Sequence, residues 1–219
     1  MSRRAAVLCL LAMLTAVWIG RGSASSLGLS PGKITTEQKP STVPAQSCSL
    51  ATSSEDASIQ EALPVVNDGS STTIRTKSQL LGNERALVRF AIDSCGIPST
   101  ARITTATMTL HLTDVPATSR LYTVKRINAS WTEGAVTWAT QPGTGVLPTG
   151  SFNSPGSPGA VSVDVRSDVA DIVAGTNNNH GWMIVDAVES DALGAQIVLG
   201  AREHADGAKR PTLTIGYYP

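Results

Sequence analysis

The chain has 219 residues, of which 16% are charged and 4% aromatic, and its formal net charge is zero. This length accommodates one sandwich-sized domain with extra segments, but not two large domains. The chain lacks a basic block, which argues against a nucleic-acid ligand held through its phosphates. The low charged fraction and the many Thr, Ser, Gly and Val residues favour a β-rich fold over a helical bundle.

The first 24 residues have the organisation of a signal peptide. Arg3 and Arg4 precede an apolar stretch at residues 5–19, which is short for a membrane span. Small residues at Gly22 and Ala24 provide a cleavage site, so we predict cleavage after Ala24 and secretion of the mature protein. The paired arginines leave the twin-arginine route open, but the residues that should follow them are absent, which favours general secretion.

After cleavage two cysteines remain, Cys48 and Cys95. An even pair in an oxidising compartment predicts a disulfide, with two buried free thiols as the alternative. The bond would close a loop of about 46 residues and stabilise the fold by roughly 4 kcal/mol. Residues 25–47 are rich in Ser, Thr and Pro and are predicted to form a disordered linker before a domain at 48–219.

Short runs of alternating apolar and polar residues follow in the chain. The longest covers residues 102–112, where apolar side chains point to one face and threonines and His111 point to the other. In the run at 86–92, Ala86 and Val88 share one face, and Leu87 and Arg89 share the opposite face. About ten such runs predict an all-β antiparallel sandwich. The other strands are predicted near residues 72–76, 121–127, 161–165, 181–185, 196–199 and 213–217.

One short helix is predicted after residue 165, because apolar residues recur there at helical spacing. Ser167 is the expected N-cap, Asp168 lies in the first turn, and Gly175 is placed to end the helix.

Motifs for a catalytic nucleophile are absent from the sequence. Glu133, Asp164 and Glu203 are scattered, and nothing in their spacing implies a catalytic pair. We therefore predict a protein that is not an enzyme. The most distinctive segment places Trp131 and Trp138 on either side of a turn, and we interpret these tryptophans as core residues, with a sugar-stacking face as the alternative.

Five segments in a fixed order carry a family resemblance. They are residues 56–59; the turn at 67–71; Arg89 with the block at 97–112; residues 131–138 followed by Pro142; and residues 163–165 followed by Glu203 and Arg210. Together they resemble the DNRLRE-domain family, also classed as carbohydrate-binding module family 96, over roughly residues 49–217. The turn departs from the family pattern, because Asp68 replaces its aromatic residue.

The resemblance implies a jelly-roll-like sandwich with one short helix that is exported and binds an extracellular polysaccharide; some members bind the acidic polysaccharide alginate. Cations on one sheet face should line a groove for such a ligand. An ordinary solvated surface is the alternative. The predicted ligand-binding residues are Arg75, Lys77, Arg89, His111 and Lys125.

The family-matched Asp56 and Glu203, with Arg210, are expected either to form a structural ion pair or to bind a calcium ion. Two other functions remain open for the chain. One is a structural or adhesive cell-surface domain without a small ligand, and the less favoured one is a secreted polysaccharide hydrolase or lyase. No partner nucleic acid is expected, nor a membrane contact after signal cleavage.

Overall fold

The computed structural model describes residues 44–219. The predicted signal peptide, and the predicted linker up to residue 43, lie outside the described residues. The first strand begins at Gln46, so sheet pairing starts two residues before the predicted start of the domain at Cys48.

The described residues form eleven strands, one α-helix and two short 3₁₀ helices. The predicted all-β antiparallel sandwich with a single short helix is therefore confirmed, although strands β1 and β7 had no counterpart in the predicted runs. The strands are β1 (Gln46–Leu50), β2 (Glu55–Gln60), β3 (Thr73–Ser78), β4 (Glu84–Arg89), β5 (Arg102–Asp114), β6 (Leu121–Arg126), β7 (Gly150–Asn153), β8 (Gly159–Asp164), β9 (Trp182–Asp186), β10 (Ala195–Gly200) and β11 (Thr212–Tyr218). The 3₁₀ helices are Ile92–Cys95 and Gly207–Lys209.

All strand pairs are antiparallel, and the strands follow the order β1-β11-β5-β10-β3-β4-β9-β6-β7 in one curled sheet. β8 adds to the free side of β5, and β2 adds to β4. The sheet folds over into two layers. The first layer contains β1, β11, β5 and β8; the second contains β2, β4, β9, β6 and β7; β10 and β3 connect them.

The main core lies between the layers and has the period of two that the sequence predicts. In β5, Met108 and Leu110 are fully buried, whereas the intervening threonines are only partly buried. From the second layer, Val88 and Trp182 enter the same core. Because successive side chains of a strand point to opposite faces of its sheet, each layer also has a face that points away from the main core.

A second core covers the outer face of the second layer. Leu87 and Met183, which are paired across β4 and β9, point away from the main core and are nevertheless almost fully buried. The segment that covers them contains Trp131 and Val136. Trp131 is 6% exposed, and its Nε1 donates a hydrogen bond to the His180 carbonyl at 2.8 Å. Trp131 is thus a core residue in this structure.

The helix α1 (Arg166–Val173) forms where the sequence predicts it. The predicted N-cap is wrong, because Val165 holds the cap position and Ser167 lies inside the first turn. The start is supported instead by the Asp164 carboxylate, which accepts from the Arg166 amide at 2.8 Å. Gly175 has a φ of +73° and ends the helix as predicted, with its amide bonded to Ile172, as in a Schellman motif.

The predicted disulfide between Cys48 and Cys95 is present, with the two Cα atoms 5.9 Å apart. It joins β1 to the 3₁₀ helix after β4. No helix within residues 44–219 has the length and apolar character needed to cross a bilayer.

Candidate ligand-binding site

The five predicted cationic residues occupy outward positions on different parts of the sandwich. Arg75 and Lys77, two positions apart, share one face of β3. His111 lies on the outer face of the first layer, among threonines of β5. Arg89 and Lys125 lie on the outer face of the second layer, on strands that β9 separates. The fold therefore brings together only the pair on β3.

Two of these cations already bind acidic side chains of the protein. Arg75 donates to Glu84 at 2.9 Å and to Asp68 at 3.0 Å. Arg89 forms an ion pair with Glu55 and lies 5.5 Å from the centre of the Trp131 ring. Burial also lowers the pKa of Arg89 from its usual value. A ligand would have to compete with these internal partners.

Lys77 and Lys125 form no ion pair with an acid of the described chain within 4.0 Å. Lys77 lines a shallow pocket together with Asp114, whose carboxylate would repel an anionic ligand. Lys125 lies instead in a groove whose acids are neutralised by arginines. Lys125 is therefore the cation best placed to receive an anion.

The groove around Lys125, which we call the β6–β9 groove, has a volume of about 270 Å³. Thr123, Lys125 and Val185 form its floor on the outer face of β6 and β9. Its walls come from the connections that follow β6 and β9 together with the last residue of β9, and the wall residues are Val146, Pro148, Asp186, Ala187 and Glu189.

Arginines neutralise both acids of the groove. Arg120 donates to both carboxylate oxygens of Asp186, at 2.8 and 2.9 Å. Arg85 donates to both oxygens of Glu189, each at 2.7 Å. Bidentate pairs of this kind have fixed geometry as well as strong hydrogen bonds. Both acids that line the groove are therefore paired, although Arg120 also donates to Asp191 at 2.6 Å, and Lys125 is the lining cation that has no acidic partner within 4.0 Å in the described chain.

Beside the groove, Arg85 contacts both the wall residue Glu189 and the aromatic ring of Trp138. Its guanidinium carbon lies 4.5 Å from the centre of the Trp138 ring, and its Nη1 donates to Gln141 at 2.6 Å. Trp138 is half-buried against the second core. The surface next to Glu189 therefore combines an indole, a guanidinium and a side-chain amide, which are groups that suit sugar recognition.

A cluster of acids forms at the edge of the second layer. The predicted metal ligands Asp56 and Glu203 come together there with Glu133, and their oxygens lie within 4.8 Å of one another. Arg202 supplies the cation: its Nε lies 3.0 Å from Glu133, it pairs with Glu203, and its amide donates to Asp56 at 2.8 Å. Arg210, the predicted partner, binds the His204 carbonyl instead.

Burial raises the pKa of Asp56 to about 6, and the charges of Glu203 and Glu133 add to this effect. Hydrogen bonds from Ser53 and the Arg202 amide act in the opposite direction. Three carboxylates are a suitable oxygen donor set for calcium. However, Arg202 already supplies positive charge inside the cluster, which favours a structural ion pair, and calcium binding remains a prediction.

Comparison with known protein families assigns this chain to one of them. The profile of carbohydrate-binding module family 96 matches residues 48–217, from the first strand to the last. The chain belongs to carbohydrate-binding module family 96. A search of curated proteins gives no match.

Membership in carbohydrate-binding module family 96 confirms the resemblance on which the sequence interpretation rests. The matched region includes the β6–β9 groove and the acidic cluster. Membership in the family makes this domain a carbohydrate-binding module and suggests a polysaccharide partner.

Several residues of this family 96 domain were missed from the sequence. Arg85 and Glu189 are 104 positions apart, and no local spacing links them. The alternation in β4 places Arg85 and Leu87 on one face, which the sequence predicts to point outward. The apolar Leu87 on that face was the available signal that another segment of the chain covers it. Glu133 was noted, but only the fold shows that it meets Asp56.

Proposed function

We propose that this protein is a secreted, non-catalytic module that binds an acidic polysaccharide such as alginate in the β6–β9 groove. The observation that carries the proposal is Lys125, which has no acidic partner within 4.0 Å in the described chain and lines a groove whose two acids are each paired with an arginine. A uronate carboxylate would supply its missing counter-ion.

The shape of the site supports the same ligand. The groove is open on the outer face of a sheet, and its wall residue Glu189 binds Arg85, which in turn contacts Gln141 and Trp138. An open surface of this kind suits an extended chain, because neighbouring sugar units can contact neighbouring side chains. Export is supported by the signal-peptide pattern of the sequence and by the disulfide between Cys48 and Cys95.

Affinity electrophoresis tests the proposal. The chain from Ser25 onward is run in gels that contain alginate, a neutral glucan or no polysaccharide. We expect retardation in alginate alone, and we expect it to weaken as salt is added, because screening reduces the attraction between exposed charges. Equal migration in all gels would refute binding to an acidic polysaccharide.

Substitutions then locate the site. Lys125→Ala should weaken retardation in alginate about fivefold to tenfold, equivalent to roughly 1 kcal/mol. Lys209→Ala removes one ammonium group beside Asp206, far along the chain from the groove, and serves as the matched control. Lys77→Ala tests the pocket that contains Asp114, and we expect little change. A larger loss in Lys77→Ala than in Lys125→Ala would move the site to β3.

One observation favours a second candidate, a structural or adhesive surface domain. Leu80, Leu81, Val188 and Leu193 are each more than 60% exposed, and they lie on two adjoining connections. Ser78 holds these connections together through a 2.6 Å hydrogen bond to the Val188 carbonyl. Protein that fails to bind every polysaccharide but is captured by cell-wall fragments, and loses capture in Leu81→Ser, would support this function.

A further inference from the structure

A second polar pocket lies at the end of β6, where the α1–β9 connection passes close by. We call it the asparagine pocket. Its volume is about 320 Å³, near the lower limit of pockets that hold small ligands, about 300–1,000 Å³. It shares no lining residue with the β6–β9 groove. Its polar side chains come from Arg126, Asn128, Thr176, Asn177, Asn178 and His180.

The backbone around the asparagine pocket is held at both ends. Gly175 and Gly181 both have positive φ, and a Cβ at Gly181 would lie 2.2 Å from the Val88 carbonyl oxygen, so only glycine fits there. Between them, Asn179 donates to the Phe90 carbonyl at 2.7 Å, and the His180 carbonyl accepts from Trp131. The connection is therefore ordered before any ligand arrives, which lowers the entropy lost on binding.

Several polar groups in the pocket have no side-chain partner. Within residues 44–219, no hydrogen bond is made by three side chains, those of Asn128, Asn178 and His180. The side-chain amide of Asn177, by contrast, donates to Asp171 at 2.9 Å. Arg126 lies 3.7 Å from the same Asp171 carboxylate, a loose pair between partly exposed groups. The pocket thus presents free donors and acceptors together with one weakly paired guanidinium.

We propose that the asparagine pocket binds a single sugar unit at the end of a saccharide chain. Vicinal hydroxyl groups would exchange hydrogen bonds with the Asn128 and Asn178 amides and with the His180 ring, because amides offer donors and acceptors side by side. In an acidic unit, Arg126 receives the carboxylate. The small volume and the lack of an aromatic wall favour one unit over a long chain.

This second site goes beyond the proposed function, because it recognises a chain end where the groove recognises the length of a polymer. A module with both sites would hold the same polysaccharide at two positions. The two sites can fail independently, since no residue is common to them.

Calorimetric titration with an alginate trisaccharide tests the pocket, with cellotriose as the uncharged counterpart. The chain from Ser25 onward should bind the acidic trisaccharide, and the double variant Asn178→Ala/His180→Ala should bind it at least about tenfold more weakly. Asn178 is exposed and His180 half-buried, so both side chains can be shortened without opening the core. Equal thermal midpoints for the variant and the parent protein check that the fold is intact.

Two further variants separate the sites. Lys125→Ala should leave trisaccharide binding unchanged, while the double variant should leave retardation by long alginate nearly unchanged. Arg126→Gln should weaken binding of the acidic trisaccharide more than that of cellotriose. The proposal is overturned if neither trisaccharide binds the parent protein. It is equally overturned if binding survives in the double variant or is lost in Lys125→Ala.

Discussion

The two layers of the sandwich differ most on their outer faces. On the first layer, Thr107, Thr109 and Thr214 point outward from β5 and β11, and neither core of residues 44–219 covers them. On the second layer, the outward residues Leu87 and Met183 are buried beneath the segment that contains Trp131. The same alternating strand pattern therefore gives an ordinary polar face in one layer and the base of another core in the other.

The difference arises from a single long connection, residues 127–149 between β6 and β7. It contributes Trp131 to the second core, Val146 and Pro148 to the wall of the β6–β9 groove, and Asn128 to the asparagine pocket. Functional surfaces are commonly carried by connections on a rigid scaffold. Here one connection both stabilises its layer and shapes both proposed sites.

Among the substitutions considered, removal of the Trp131 side chain from the second core should reduce the stability of the protein most. Trp131→Ala would leave a cavity in the second core, remove the hydrogen bond to the His180 carbonyl and expose Arg89. We expect the free energy of unfolding to fall by about 3–5 kcal/mol, as for other buried tryptophans. Urea denaturation followed by circular dichroism measures this change.

The matched control for this substitution is on the other outer face. Thr107→Ser keeps a hydroxyl on β5 and removes one methyl group from a partly exposed position. It should change the free energy of unfolding by no more than about 0.5 kcal/mol. Similar losses in both variants would show that the two outer faces do not differ in the way the structure indicates.

The edges of the two layers differ as well, because a disulfide between Cys48 and Cys95 holds the edge strand of the first layer. Among the described strands β1 pairs with β11 alone, and the disulfide ties it to the segment after β4. Cys48→Ala/Cys95→Ala should lower the free energy of unfolding by about 2–4 kcal/mol, because the unfolded chain loses a long closed loop. Urea denaturation is again the measurement. Reduction with dithiothreitol should destabilise the parent protein and leave the variant unchanged; an equal effect on both would contradict this interpretation.

Sequence alone was sufficient where the determinants are local. The alternation in β5, the helix after residue 165 and the pair Cys48 and Cys95 each follow from residue type and spacing. The second core and the acidic cluster do not, because Glu133 and Asp56 are 77 positions apart and meet only when the β6–β7 connection lies over the second layer. For the same reason the partner of Glu203 was predicted as Arg210, whereas the fold selects Arg202.

At the edge of the second layer, the acidic cluster around Asp56 should make stability depend on pH. This is the smallest of the three predicted changes in stability. The folded-state pKa of Asp56 is about 6, above the ordinary value of 3.8. A raised carboxyl pKa means that the folded protein binds the proton more tightly, so the added stability is complete below about pH 4 and is lost as the pH rises through 6. The full difference amounts to about 3 kcal/mol, of which roughly 2 kcal/mol falls between pH 4 and pH 7.

Asp56→Asn isolates this contribution, because the amide oxygen can still accept from the Arg202 amide and Ser53. We expect the parent protein to lose about 2 kcal/mol relative to this variant between pH 4 and pH 7, measured by urea denaturation at each pH. A constant difference across that range would rule out titration of Asp56.

Millimolar calcium at pH 7 provides a second readout: because Arg202 already pairs with Glu133 and Glu203, we expect no rise in the thermal midpoint. A rise in the parent protein that is absent from Asp56→Asn would instead show that the three carboxylates bind calcium, since an ion that binds only the folded state raises its stability.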